Sequence, residues 1–232
     1  MPTFNILVNH RKKWAVALKQ KVASFLMANG YSTALQNADY TIVIGGDGTL
    51  YHYLDMLKGK VILIGSERSY RAQLTMKNWK GRILQLMKHK IISLPLFEII
   101  NNNKIIGRSM NDVVFHTNDH KVVAIEMQVG RTTSAFIGDG LILATPFGST
   151  GYSFSAGGRN LALGSGLISI TPICSYFRKM RPVVMAEADA KIKVRASKNT
   201  SLILDGTLKK KVCRGEYTIR VSNRNRIDFL AP

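Results

Sequence analysis

The run Ile42-Val43-Ile44-Gly45-Gly46-Asp47-Gly48-Thr49-Leu50 passes from a β-branched apolar stretch, through a glycine turn, into the start of a helical pattern. That order specifies a layered α/β unit: a buried strand, a turn without Cβ obstruction and a helix start, which together can close on an anion. Glycine lets backbone N–H groups approach phosphate oxygens without steric cost. The turn lacks the lysine of a Walker loop and the third glycine of a dinucleotide fingerprint. A carboxylate inside such a cradle repels phosphate unless it holds Mg²⁺ or accepts a proton from an attacking hydroxyl. Asp47 is therefore the candidate catalytic residue, and Gly45, Gly46, Gly48 and Thr49 are the candidate phosphate contacts. By themselves these residues also make a tight Asp-Gly turn between a strand and a helix.

The surrounding pattern agrees with an α/β unit. Phe4 to Asn9 reads as a strand, and Lys12 to Asn29 as a helix with apolar Val16, Leu18, Val22, Phe25 and Leu26, stopped by Gly30. Tyr40 to Ile44 reads as a buried strand, Thr49 to Lys58 as a helix, Val61 to Ile64 as a strand and Trp79 to Lys88 as a closing helix. After about Ile91 the texture changes to β-branched and aromatic runs: Leu94 to Ile100, Lys104 to Ser109 and Val122 to Gly130, with Asn101-Asn102-Asn103 as a hairpin turn. Further strands are predicted at Leu141 to Ala144, Ala190 to Ala196, Ser201 to Leu204 and Tyr217 to Val221.

With 232 residues and 46% hydrophobic content the chain can bury a core without staples. Cys174 and Cys213 show no CxxC spacing, so a reducing compartment is expected, with a disulfide between the two as the lesser alternative. The first residues lack the apolar stretch of a signal peptide, and no run approaches a bilayer span. His10, His52, His89, His116 and His120 are not spaced with cysteines or carboxylates as in a zinc site. A formal charge of +19 favours polyanions such as nucleotides, polyphosphate or nucleic acid, although a generally basic surface explains it equally.

A second stretch, Gly138 to Gly158, reads Gly-Asp-Gly-Leu-Ile-Leu-Ala-Thr-Pro-Phe-Gly-Ser-Thr-Gly-Tyr-Ser-Phe-Ser-Ala-Gly-Gly. Leu141 to Ala144 should be a strand ended by Pro146, with Ser149 and Thr150 placed to cap a following helix. Hydroxyls at such a turn can meet ribose, phosphate or adenine edges, and Tyr152 offers a ring and a phenol together. The alternative is that Ser149 or Thr150 only caps the helix while Tyr152 packs in the core.

The GGDGT turn is similar to the phosphate-binding signature of NAD kinases, diacylglycerol kinases and sphingosine kinases, which share a fold with phosphofructokinases. The stretch from Gly138 to Gly158 closely resembles the NAD kinase pattern DG…TPxGSTAYSxSAGG, a form that the lipid kinases do not carry. Asn111-Asp112 resembles the family's NE motif, with aspartate for the more frequent glutamate. Leu167 to Cys174 followed by Arg181-Pro182 resembles its TPI…RP segment, and Asp205-Gly206 its late Asp-Gly pair, which a hairpin turn explains nearly as well.

This resemblance implies an N-terminal α/β domain of phosphofructokinase-like, Rossmann-type layers over residues 1–92. It implies a β-rich C-terminal sandwich over 93–232 that binds NAD, with the C-terminal tail able to pack back on the first domain. The implied activity is phosphorylation of the adenosine ribose 2′-hydroxyl of NAD by ATP or polyphosphate, with Mg²⁺ brought by the nucleotide and no metal held by the protein alone. A cytoplasmic homodimer or homotetramer without a membrane or specific nucleic-acid partner is implied as well.

Residue by residue, the resemblance places Thr150 and Tyr152 at the adenine end of NAD with Ser155 in support, and Asp139 near the nicotinamide riboside. Asn111 and Asp112 join the NAD contacts, and Asp205 is carried as a candidate close to the reaction centre. Gly151 stands where the family has alanine, and Phe147 at a position that often bears a hydroxyl. The segment Gly65 to Leu74 lacks the family's usual Gly-Phe pair; Arg68 and Tyr70 are candidate contacts there, with Tyr70 and Arg71 available as replacements. Three rivals remain at this point: a lipid or sugar kinase sharing GGDGT, a catalytically degenerate NAD binder, and a basic nucleic-acid-binding protein.

Overall fold

The computed structural model describes residues 1–34, 37–197, 199–210 and 214–230. It contains two compact units, Met1–Ser93 with Ile227–Pro232, and Leu94–Arg226.

In the first unit the elements are β1 (Thr3–Val8), α1 (Lys13–Ala28), β2 (Ser32–Thr33), β3 (Tyr40–Ile44), α2 (Asp47–His52), β4 (Lys60–Gly65), β5 (Leu74–Thr75) and α3 (Trp79–Leu86). Helix α1 buries Ala15, Leu18, Val22 and Leu26, the three- and four-residue spacing that aligns one face. It stops where Gly30 takes φ +82° and its N–H donates to the Met27 carbonyl. The strands lie parallel in the order β2-β1-β3-β4. β3 is buried along its whole length, as a strand covered on both faces must be. Phe4, Ile42, Ile44, Ile62 and Ile64 of the sheet share one apolar cluster with Val22 and Leu26 of α1 and Ile83 of α3.

The last strand, β17 (Gly215–Leu230), sets Asp228 and Phe229 alongside Lys60 and Val61 of β4. Buried Gln73 fixes that join, accepting from the Leu63 N–H at 2.6 Å and donating to the Val61 and Leu230 carbonyls at 3.2 and 2.8 Å. Because the chain leaves β1 toward β2 on one side, and β3 occupies the other, the loops after β1 and β3 diverge and leave a crevice at the carboxyl ends of the strands.

The helix expected over Thr49 to Lys58 is shorter and begins earlier. α2 starts at Asp47 on an extended Gly46 cap and ends at His52, and Leu54–Met56 form a separate 3₁₀ turn. The Tyr53 hydroxyl reaches back to the Val8 carbonyl at 2.9 Å, and this tertiary contact competes with continued helix.

The second unit contains β6 (Ile91–Asn101, most of it), β7 (Lys104–Ser109), β8 (Asp112–Thr117), β9 (Val123–Val129), β10 (Thr132–Gly138) and β11 (Gly140–Ala144). Then follow α4 (Tyr152–Ser155), β12 (Leu167–Ile173), β13 (Val183–Ala186), β14 (Lys191–Ala196), β15 (Thr200–Leu204), β16 (Thr207–Lys210) and the first part of β17. β10, β12, β13 and β16 are not among the strands predicted from sequence. One antiparallel sheet runs β10-β9-β14-β17, with β6 and β7 beyond β17; the other runs β13-β12-β11-β8-β15-β16. Asn102 and Asn103 both have positive φ, so the β6–β7 connection is the tight turn that such asparagines favour. Pro172 lies past the residues of β12 that pair with β13, where a missing N–H is tolerated.

The two sheets form a sandwich. Val113 and Phe115, Leu141 and Leu143, and Ile168 and Ile170 point every second residue into one cluster with Ile192 and Val194, and Tyr217 and Ile219, of the facing sheet. The opposite face of β8 and β11 presents Val114, Ile142 and Ala144, with Ala156 from the end of α4 packed against them. That second face carries the polar residues described below.

Candidate functional site

In the first unit the glycine turn sits at the carboxyl end of β3, beside the crevice. Its residues divide by what they touch. A β-carbon on Gly45 would stand 2.3 Å from Thr49 Oγ1, so glycine here is required by close packing. Thr49 is buried, and its Oγ1 accepts from the Gly46 N–H at 3.2 Å and from Asn9 Nδ2 at 3.0 Å, which ties the turn to the end of β1. Gly45 and Thr49 therefore shape the cradle. Gly46, Asp47 and Gly48 line its accessible side, and a β-carbon on Gly48 would meet nothing within 4 Å.

Asp47, in the first turn of α2, accepts from the Tyr70 N–H through Oδ2 and from the Arg71 N–H through Oδ1, each at 3.2 Å. The loop that departs from the family pattern thus orients this carboxylate with its backbone. Arg71 is half-buried; burial lowers its guanidinium pKa, and the guanidinium carbon lies 5.0 Å from the centre of the Tyr70 ring. Tyr70 is 71% exposed and Arg68 is exposed on the same loop.

Sequence reasoning passed over two neighbours. Lys12 places its ammonium 3.4 Å from where a β-carbon on Gly46 would be, so a cation the glycine turn lacks arrives from the loop after β1. Asn9 anchors that loop. A groove of about 310 Å³ beside the turn is lined by His10, Arg11, Gly48, His52 and Tyr53 as well as Asn9 and Thr49. Nothing local in the sequence marks His10 to Lys12 as partners of a turn more than thirty residues later; the parallel pairing of β1 with β3 makes them so.

In the second unit the Asn111-Asp112 turn opens β8. Asp205, at φ +50° before Gly206 in the β15–β16 hairpin, holds that turn from outside. Its Oδ1 accepts from the Asn111 N–H at 2.7 Å and the Asp112 N–H at 3.2 Å, and its Oδ2 from the Met110 N–H at 3.1 Å. The Ser109 hydroxyl lies 2.7 Å from both Asp205 Oδ1 and the Asp112 carbonyl. Asn111 Nδ2 donates to Asp112 Oδ2 at 3.0 Å. Asp112 is 4% exposed, and burial, followed by the charge of Asp205, pushes its carboxyl up to about 7. Burial also raises Asp205, while Ser109 and the three backbone N–H groups oppose that rise.

The Thr145-Pro146-Phe147-Gly148 loop locks onto this turn. Thr145 donates through its hydroxyl to the Met110 carbonyl at 2.6 Å and through its N–H to the Asn111 carbonyl at 3.1 Å. A β-carbon on Gly148 would stand 2.1 Å from the Asn111 carbonyl oxygen, so only glycine permits the approach. Gly148→Ala is expected to cost about 1–3 kcal/mol through overpacking against backbone. Denaturant titration of the variant beside the wild type would check that cost.

Ser149 does not cap the next helix. Its buried hydroxyl donates to the Pro146 carbonyl at 3.0 Å and accepts from the Leu161 N–H at 2.9 Å, bracing the loop, while Gly151 is the cap of α4 and no side chain caps it. Thr150 is half-buried and is not the cap either. Tyr152 does not pack in the core, being 41% exposed. Partial burial raises its phenol pKa, then Cys174, Asp139 and Asp112 in that order, so these four side chains share one electrostatic neighbourhood. Cys174, exposed, free and at φ +47°, has Asp139 as its neighbour, whose carboxylate raises its thiol pKa. A pairing with Cys213 falls outside the described residues. Ser155 is exposed and its hydroxyl is turned to the Gly151 carbonyl at 3.2 Å. Of the predicted NAD contacts, Asn111 and Asp112 stand at one end of the β8–β11 ladder and Asp139, beside Thr117, at the other, while Tyr152 feels the charge of both aspartates; the Ser155 hydroxyl is bonded to the start of its own helix.

Residues 110–229 match the family model described as ATP-NAD kinase C-terminal domain. An NAD kinase from Picrophilus torridus is 31% identical to this chain, over 90% of this chain and 80% of that one. An NAD kinase from Thermoplasma acidophilum is 30% identical, over 93% and 79%. Among solved structures, a yeast NADH kinase complexed with NADH superposes with a TM-score of 0.86 at 19% identity, covering 100% of this chain and 84% of that one. An Archaeoglobus fulgidus NAD kinase in complex with ATP gives a TM-score of 0.81 at 21% identity, covering 99% and 93%; at such identities these two speak for the fold alone. With the family model spanning over half of its length and relatives at 30% identity aligned along most of it, the chain belongs to the NAD kinase family.

Proposed function

We propose that the protein is an NAD kinase that transfers the terminal phosphoryl group of ATP, or of polyphosphate, to the adenosine ribose 2′-hydroxyl of NAD. One observation carries the reading: the carboxylate of Asp47 stands half-buried at the rim of a glycine turn that opens helix α2, its orientation fixed by two backbone N–H groups of the loop after β4. In this reading Gly46 and Gly48 contact the donor phosphates, with Lys12 neutralising them, and Gly45 and Thr49 maintain the cradle. Asp47 accepts the proton of the attacking hydroxyl as the ribose oxygen bonds to the terminal phosphorus and the bond from that phosphorus to the bridging oxygen breaks, releasing ADP or the shortened polyphosphate. Most of the acceleration comes from positioning and charge neutralisation.

The donor side offers one carboxylate, Asp47, while the Thr49 and Asn9 side chains are already bonded to each other. That set fits a Mg²⁺ brought on the phosphates better than a protein-built cage, since Mg²⁺ commonly binds through one or two carboxylates plus substrate phosphates. Such an ion would supply charge neutralisation at the donor phosphates, with Asp47 the carboxylate nearest to hold it.

Asn111, Asp112, Asp139, Thr150 and Tyr152 hold NAD, with Ser155 outside the closest group. Tyr152→Ala is expected to weaken NAD binding by about tenfold, the loss of one stacking contact, with a smaller change in kcat; an unchanged NAD titration would remove Tyr152 from the site. Homo-oligomeric assembly and a cytoplasmic location belong to the same proposal. A groove of about 880 Å³ over Ala124, Ala135 and Ile137, flanked by Tyr176 and Phe177 at 61% and 87% exposure, is the apolar surface on which a second copy would sit. Sizing in solution checks that point.

The decisive experiment gives the purified protein Mg²⁺, NAD and either ATP or polyphosphate, and measures NADP. Product from at least one donor is expected. No NADP with either, from folded protein that binds NAD, would favour a degenerate binder instead.

A further inference from the structure

Two carboxylates meet at the Asn111 turn, and they are treated differently by their surroundings. Asp205 receives three consecutive backbone N–H groups, from Met110, Asn111 and Asp112, with the Ser109 hydroxyl beside them. Such a nest of donors suits an anion, because a protonated acid would have to direct its own hydrogen among groups that also donate. Asp112, whose own N–H belongs to this nest, is more deeply buried than Asp205, and among the described residues its side chain receives only the amide of Asn111, on Oδ2. No lysine, arginine or histidine among the described residues forms an ion pair with either carboxylate. The other titratable groups near Asp112 in this unit are Asp205 from the β15–β16 hairpin and Tyr152 from α4, with Asp139 and Cys174 next to Tyr152. None of them brings a positive charge.

We infer that the pair Asp112 and Asp205 carries a single negative charge, lodged on Asp205, so that Asp112 faces the nucleotide as a neutral acid donating a hydrogen bond from Oδ1. The inference rests on the NAD-binding reading given above and deepens it. An ionised Asp112 would accept from a sugar hydroxyl or carboxamide; a neutral one offers a donor to a ribose oxygen or carbonyl, and adds no repulsion toward a dinucleotide that is itself anionic. The reverse assignment would put the proton either on Asp205 Oδ1, which already faces two backbone N–H groups and the Ser109 hydroxyl, or on Oδ2, which faces the Met110 N–H, whereas Asp112 Oδ1 faces no protein donor among the described residues. Asp205 is thus a positioning residue twice over: it fixes the turn by hydrogen bonds and holds the proton on its neighbour by its charge.

Protonation of Asp112 makes NAD affinity depend on pH. Its carboxyl titrates near 7, so NAD should bind well at pH 6 and progressively less well toward pH 8.5. If the anion does not bind at all, one such proton weakens affinity by up to about 30-fold over that range. Asp112→Asn, which is neutral at every pH and keeps an N–H donor, should flatten the profile to within about twofold. A flat wild-type profile, or an Asp112→Asn protein whose residual affinity still falls with the wild-type midpoint, would overturn the inference.

A ligand-free measurement separates this from failure of the NAD reading. A carboxyl raised from 3.8 to about 7 in the fold binds a proton that the unfolded chain releases, so it costs stability as pH rises from about 4 to 7, and the loss is complete above 7. The Tm of Asp112→Asn relative to wild type should therefore climb between pH 4 and pH 7 and then level off. A pH-independent difference counts against the inference whether or not NAD binds. Absence of NAD binding at every pH, with the climbing Tm difference intact, would instead overturn the functional reading and leave the shared charge standing. Should Asp112→Asn not fold, carbon-13 NMR of wild-type protein labelled at its aspartate carboxyls serves: one resonance is expected to titrate near neutrality, and its absence refutes the inference.

Discussion

Asp47→Asn is expected to lower kcat by about 10²–10⁴-fold, the range for loss of a positioned general base, while KM for NAD changes little. Asparagine has the same shape and keeps one oxygen for the Tyr70 and Arg71 N–H groups that now bond both carboxylate oxygens. One of those N–H groups loses its acceptor, but the site is partly solvated, so the stability cost should stay near 1 kcal/mol. A change in kcat without a matching change in affinity is the signature of an interaction made only in the transition state. Steady-state kinetics at saturating donor, with NAD affinity measured separately by titration, distinguish this from a collapsed site. Near-normal turnover would remove Asp47 from the chemistry and leave it as a turn residue.

Asp205→Ala should be the most destabilising of the substitutions considered, by about 3–5 kcal/mol, because it strips the common acceptor from three backbone N–H groups, while the Ser109 hydroxyl keeps the Asp112 carbonyl. Each orphaned donor costs about 1–3 kcal/mol, and partial entry of water keeps the sum below the simple total. Asp205→Asn, which retains one oxygen, should lose distinctly less. Denaturant midpoints with an unchanged slope would measure both. A loss below about 1 kcal/mol for the alanine variant would mean that the turn holds itself without the hairpin carboxylate.

Much of this was legible in the residues. The strand, glycine turn and helix start around Asp47 were read from composition and order, and β3 lies where the sequence placed it. The β-branched and aromatic runs at Leu94 to Ile100, Lys104 to Ser109 and Tyr217 to Val221 marked strands of a β-rich unit, and strands lie there. Where reading failed, tertiary contacts overruled local signals. Ser149 looks like a helix cap, yet its hydroxyl is taken by Leu161 and the cap falls to Gly151. β12 and β13 carry turn-like and proline-containing neighbours that obscure their strand character, and pairing with β11 on one side of β12 secures them.

The sequence by itself determined the fold class, the family and the identity of the carboxylates, because glycine turns, apolar periodicity and a long contiguous motif are properties of neighbouring residues. Only the tertiary structure decided which of those groups meet: Lys12 with Gly46, the Tyr70 and Arg71 backbone with Asp47, and Asp205 with Asp112, ninety-three residues earlier. Charge and hydrogen-bond partners act through space over a few ångströms, so the protonation of a buried aspartate depends on strand pairing that no local stretch of sequence encodes.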